Sequence, residues 1–176
     1  MFHKILVALD YSNTSWYVLE TAITLAKATK ADLMLLHILT AHDEEYPSIS
    51  EFPRVDTLPF SMYEEVMQRY AQQWQLFEQH NLQVLQAFAE ETRNAGIKVD
   101  YAQYLGNPAS EICQFAKTWQ ADLILMGRRG HRGIREFVLG SVSNFVMHHA
   151  PCSVLMVQGQ TESGSETIVE RQAVAV

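Results

Sequence analysis

Cysteine is scarce in this chain: two occur in 176 residues, and they do not form the CxxC spacing of a metal or redox site. Cys113 falls in a helical pattern and Cys152 lies just before an apolar run, so both read as small buried hydrophobes. No disulfide is expected, which suits a reducing cytoplasm. Long apolar runs are also lacking, for none approaches the roughly 18 residues needed to cross a membrane. The chain opens on a strand-like run in place of a signal peptide. Nor is there an excess of basic charge: the formal net charge is −7, which argues against a general binder of nucleic acid or of membrane surfaces. The GxxxxGK[ST] loop, a GxGxxG after the first strand, HExxH and GxSxG are all missing. Their absence excludes the commonest nucleotide-loop, zinc-protease and serine-hydrolase signatures.

What is present is an alternation of short apolar runs with helical stripes. Nearly half the residues are hydrophobic and the length suits one domain with a substantial core. Residues 4–9 (KILVAL), 32–39 (DLMLLHIL), 99–105, 123–126 and 153–157 read as five strands, the first two buried on both faces. Between them, residues 14–29 form a helix with Trp16, Leu19, Ile23 and Ala26 on one face. Residues 61–94 contain no proline or glycine and carry the stripe Met62, Val66, Tyr70, Trp74, Phe77, Leu85, Phe88 and Ala89. A bend or break is expected in that helix near His80 and Asn81, and Gly96 supplies the stop. Asn107-Pro108-Ala109 starts a third helix through Ile112, Phe115, Ala116 and Trp119, and residues 141–149 form the last. Residues 40–59, with three prolines and an acidic group, read as a surface excursion, and residues 159–176 as a disordered tail. The expected fold is an α/β sandwich on a parallel sheet. Ligands of such folds bind beyond the carboxyl ends of the strands, here near Asp10, Ile38 and Gly127.

Glycine is infrequent, yet four of the eight lie at 127, 130, 133 and 140, between the fourth strand and the last helix. Glycines admit a close backbone approach, and a helix start offers unpaired N–H groups and a positive dipole end. Strand, glycine loop and helix N-terminus together suit a phosphate. Arg128, Arg129, Arg132 and Arg135 fall in the same loop of an otherwise acidic chain, which points to a small anionic ligand; the alternative is a solvated loop kept soluble by its arginines. His148 and His149 read as helix C-terminal cations and His37 as a core histidine. The cluster His42-Asp43-Glu44-Glu45 reads as a solvated loop, and no metal site is expected in the protein itself.

The segments KILVALDYS, DLMLLHIL, GNPASEICQFAKTWQADLILMGRRG and GSVSNFVMHHAPCSVLMV resemble the universal stress protein family, in its ATP-binding branch. The resemblance covers nearly all of residues 2–158 and makes residues 1–158 one domain with an insertion at 40–60. It implies a three-layer, Rossmann-like sandwich of the adenine nucleotide alpha hydrolase type, with a five-stranded parallel sheet of order 3-2-1-4-5. It further implies that Asp10 accepts from ribose hydroxyls and that Ala8 and Ile38 line the adenine pocket. Met126 and Gly127 would cover base and ribose, and Gly130 would admit the phosphates. Gly140, Ser141, Val142 and Ser143 would cradle the phosphates, with Arg129 as a phosphate contact. Mg²⁺ or Mn²⁺ would ride on the phosphates. Two chains would pair as a homodimer through Val154, Leu155, Met156 and Val157 at a sheet edge. No residue in the pattern is an evident water-positioning base, so the expected role is an ATP-dependent sensor or switch with at most slow hydrolysis. The alternatives are a receptor for AMP or cyclic AMP, and a dimeric interaction protein without nucleotide dependence.

Overall fold

The short apolar runs form the strands of one sheet, and the helical stripes between them cover its two faces. In chain order the elements are β1 (Lys4–Leu9), α1 (Ser15–Thr29), β2 (Asp32–Leu39), α2 (Phe60–Asn94), β3 (Val99–Leu105), α3 (Pro108–Trp119), β4 (Leu123–Gly127), α4 (Ser141–His149) and β5 (Ser153–Val157). The computed structural model describes residues 1–10, 12, 14–40, 43, 46–48, 59–128 and 140–158. All strand pairings are parallel and the order is β3-β2-β1-β4-β5, as the resemblance implied.

Strand alternation divides the core into two layers. Ile5, Val7, Leu9, Leu33, Leu35, Leu123 and Leu125 pack with Val18, Leu19, Leu85, Phe88 and Ala89 under α1 and α2. Leu6, Met34, Leu36, Ile38, Ile124 and Met126 pack with Ile112, Ala116 and Val146 under α3 and α4. Burying each large aliphatic side chain contributes roughly 1.5–3 kcal/mol. Seven of the eight β2 residues are buried, which accounts for its unalternating apolar sequence.

Helix ends follow local chemistry. The Asn107 side-chain oxygen accepts from Ala109 N–H at 3.0 Å and Ser110 N–H at 3.5 Å, with Pro108 opening α3. Gly96, at φ 81°, follows α2 as expected. Lys30 and Gln120 close α1 and α3 in the left-handed region at φ 59° each, a place where glycine or asparagine would be the usual signal.

Trp16, Leu19, Ile23 and Ala26 share the core-facing side of α1 as expected, Leu19 and Ala26 buried and Trp16 and Ile23 packed against them, with Val18 and Ala22 buried beside them. Two expectations need correction. No break occurs at His80 and Asn81: α2 is continuous over 35 residues, and the buried Asn81 amide donates to Phe77 O at 2.7 Å within the helix. Met62 lies 48% exposed, off the buried stripe that includes Val66 and Phe77. No helix among the described residues is long and apolar enough to cross a membrane.

Candidate functional site at the carboxyl ends of β1 and β4

The strand order reverses about β1 and β4, and in open parallel sheets ligands bind in the crevice beyond the carboxyl ends of the strands at such a point. Ala8 sits level with Met126 on one side and Leu36 on the other. Ala8, Ile38 and Met126 share the apolar layer under α3 and α4, so they occupy one face of the sheet. The path from β4 to β5 crosses that face through α4, whose buried Val146 packs into the same layer. Because α4 returns the chain from the carboxyl end of β4 to the amino end of β5, its N-terminus lies at the carboxyl edge of the sheet.

Gly140 precedes α4 at φ −58°, ψ 155°, and no side chain caps this helix start. The first intrahelical bond runs from Asn144 N–H to Gly140 O at 2.9 Å. The N–H groups of Ser141, Val142 and Ser143 therefore lie in the turn where a helix leaves donors without internal acceptors. Ser141 is exposed and Val142 half-buried. Ser143 is buried, and its hydroxyl donates to Gly140 O at 3.0 Å, so its side chain fixes the helix start.

Asp10 follows β1 directly. Its Oδ1 accepts from Ser12 N–H at 3.3 Å, Ser12 Oγ at 2.5 Å and Ser15 Oγ at 2.9 Å, while its own N–H meets Ser15 Oγ at 3.2 Å. The carboxylate is thus held at the exit of the strand by two serines that the sequence reading did not assign. The signal was available: an aspartate two residues before a serine is the spacing of an Asx turn. Gly127 lies on the opposite face from Met126. A Cβ there would stand 3.3 Å from Thr14 Cγ2 and 3.3 Å from Val18 Cγ2, so the absent side chain lets α1 approach the end of β4. Arg129 and Gly130 lie outside the described residues.

Other candidates fall away from this crevice or have structural partners. His37 is 1% exposed, and burial holds its pKa below the ordinary histidine value against the opposing pull of Asp43, Gln103 and Asp10. Of the cluster His42-Asp43-Glu44-Glu45 only Asp43 is described, and its Oδ2 accepts from Thr40 N–H at 2.6 Å. His148 and His149 are exposed in the last turn of α4, where the His149 ring stacks on Phe145 at 4.0 Å. Cys113 and Cys152 are unbridged and partly buried, and desolvation raises both thiols. No group of three or more metal-ligating side chains occurs among the described residues.

The universal stress protein family model matches residues 1–158. A universal stress protein of Synechocystis, Sll1388, is 34% identical over 89% of this chain and 98% of its own length. The Bacillus subtilis universal stress protein YxiE is 32% identical over 90% of this chain and all of its own length. Among solved structures, the protein MJ0577 superposes with a TM-score of 0.69 at 22% identity, covering 92% of this chain and 99% of that one. A universal stress family protein of Arabidopsis thaliana with AMP bound has a TM-score of 0.57 at 20% identity, over 94% of this chain and 98% of its own. A universal stress protein in complex with cyclic AMP also reaches 0.57 at 20% identity, over 89% and 97%. These structures share the fold, and the family model and the curated relatives carry the assignment: the chain belongs to the universal stress protein family.

Proposed function

We propose that this chain binds an adenine nucleotide across the carboxyl ends of β1 and β4, and that it acts as a nucleotide-dependent switch in a stress response. The observation that carries this reading is the uncapped start of α4 at Gly140, placed at the same sheet edge and on the same face as Ala8, Ile38 and Met126. In this reading the N–H groups of Ser141, Val142 and Ser143 hold the phosphates, with Arg129 and Gly130 beside them. Each favourable charge interaction with a helix terminus contributes roughly 0.3–1 kcal/mol, so several act together. Asp10, fixed by Ser12 and Ser15, accepts from ribose hydroxyls, and Ala8, Ile38, Met126 and Gly127 enclose the base and sugar.

ATP is the proposed ligand, with Mg²⁺ or Mn²⁺ coordinated by its phosphates. AMP and cyclic AMP form a second reading, favoured by the ligands of two structural neighbours. Hydrolysis is proposed to be at most slow: Asp10 is assigned to the ribose, and the Ser143 hydroxyl donates to Gly140 O, which leaves no evident base to orient water. The protein is proposed to work in the cytoplasm as a homodimer joined through Val154, Leu155, Met156 and Val157 of β5.

The test begins with denaturing freshly purified protein and identifying any released nucleotide, followed by calorimetry with ATP, AMP and cyclic AMP in the presence of magnesium. An empty site together with no heat of binding would sink the proposal. If binding is found, Gly140→Arg should abolish it while leaving the circular dichroism spectrum intact. Unchanged affinity in that variant would place the phosphates elsewhere.

A further inference from the structure

Strand register carries the crevice face one strand beyond Ile38. Leu36 of β2 pairs with Ala102 of β3, and Ile38 pairs with Tyr104. Leu36, Ile38 and Ala102 all belong to the apolar layer under α3 and α4. Residues two apart on a strand share a face, so Tyr104 stands on the crevice face, level with Ile38. The ring contact agrees. Tyr104 meets Phe115 of α3 at 5.8 Å between centroids, tilted by 50°, and Phe115 packs against the same layer. The residue before it points the other way, for Gln103 donates from Nε2 to Glu78 O of α2 at 3.1 Å.

Tyr104 is nevertheless 48% exposed, at the carboxyl end of β3. A tyrosine ring set by one aromatic neighbour and half in solvent offers apolar area to a further planar group. The order of groups along this edge indicates which one. The sheet runs β4, β1, β2, β3. The uncapped start of α4 follows β4, Asp10 follows β1, Ile38 lies on β2 and Tyr104 on β3. Backbone N–H donors, a carboxylate, an aliphatic side chain and an aromatic ring thus succeed one another in the order phosphate, sugar, base. Neighbouring strands stand about 4.8 Å apart, so Tyr104 is one spacing beyond Ile38, on the side away from Asp10.

We infer that Tyr104 forms the outer wall of the base pocket, its ring packing against the adenine of the bound nucleotide. This rests on the adenine-nucleotide reading above and adds to it a residue that selects a planar base at the far end of the site. Phe115 is then a positioning residue, which acts through the Tyr104 ring.

Two measurements on the full chain decide it. With the protein saturated with ATP, or with AMP if calorimetry shows only that to bind, nuclear magnetic resonance should give Overhauser contacts between the Tyr104 ring protons and H2 or H8 of adenine. In calorimetry with the same nucleotide, Tyr104→Ala should weaken binding about tenfold, as loss of a base–aromatic contact requires. Tyr104→Phe, which keeps the ring, should stay close to the parent, and Phe115→Ala should lose less than Tyr104→Ala. Leu105, 58% exposed on the opposite face of β3, is the control, and Leu105→Ala should leave affinity unchanged. A saturated protein without such contacts, a folded Tyr104→Ala of parental affinity, or an equal loss in Leu105→Ala overturns the role of Tyr104 and leaves the nucleotide reading standing. If Tyr104→Ala does not fold, the Overhauser contacts in the unaltered protein decide. An unaltered protein that binds neither ATP, AMP nor cyclic AMP refutes the nucleotide reading, and the wall falls with it.

Discussion

At Gly127 the missing Cβ is filled by a neighbouring helix, since Thr14 and Val18 of the α1 end would each meet it at 3.3 Å. Alanine must push two methyl groups by a few tenths of an ångström, and valine must push further. Gly127→Val should therefore destabilise the protein by about 1–3 kcal/mol, with alanine at or below the lower end. Urea unfolding measures this, and a valine variant as stable as the parent would show that α1 can yield without cost. The glycine itself was legible, but its helix-packing role was not. A glycine beside an expected ligand crevice reads as room for the ligand, whereas the neighbour comes from a helix more than a hundred residues earlier in the chain. Ser143 shows the same limit, because a serine at a helix start serves equally as a ligand donor or, as here, as a hydrogen-bond partner of its own backbone.

Among the elements, α2 departs most from its surroundings. At 35 residues it extends about 52 Å, whereas the eight residues of β2 extend about 26 Å. Its carboxyl half, through Val84, Leu85, Phe88 and Ala89, covers the sheet. Farther toward its start, Trp74 and Phe77 are met edge-on by Tyr46 at 5.1 Å and 5.8 Å. Tyr46 and Pro47 also line a groove of about 510 Å³ with Gln73, Leu76, Phe77 and His80. A double-mutant cycle of Tyr46→Ala and Trp74→Ala should give a coupling of about 0.5–1.5 kcal/mol in urea unfolding. Zero coupling would mean that the segment after β2 is not anchored through these rings. Gly96 and Asn107 made two helix boundaries legible, since each supplies a specific backbone or side-chain device. Lys30 and Gln120 gave no such warning, because a left-handed residue with an ordinary side chain is set by its surroundings. His80 and Asn81 suggested a break for a related reason: asparagine competes for backbone groups, and here it satisfies itself inside the helix.

For the whole molecule, the alternation of short apolar runs with helical stripes was enough to read a covered parallel sheet, because each strand buried on both faces needs helices on both sides. Strand order came from the family resemblance, since periodicity alone is silent on which strands adjoin. The outermost strand β5 has Leu155 38% exposed and Val154, Met156 and Val157 half-buried. Leu155→Lys should convert the proposed homodimer into monomers by analytical ultracentrifugation at micromolar concentration. Monomeric behaviour of the unaltered protein would refute the dimer.

The two borders of the sheet are unlike: β5 forms one, and β3, with Tyr104 and Leu105 exposed, forms the other. Joining β5 to β5 about a two-fold axis uses the same border twice and leaves only β3 borders outward, so no β5 border is left to receive a third copy. Joining β5 to β3 would be head-to-tail, would keep every strand parallel, and would leave a fresh β5 border after each addition. A symmetric contact at β5 is therefore also a terminator, which denies this all-parallel sheet the step by which it would otherwise become an open-ended fibre.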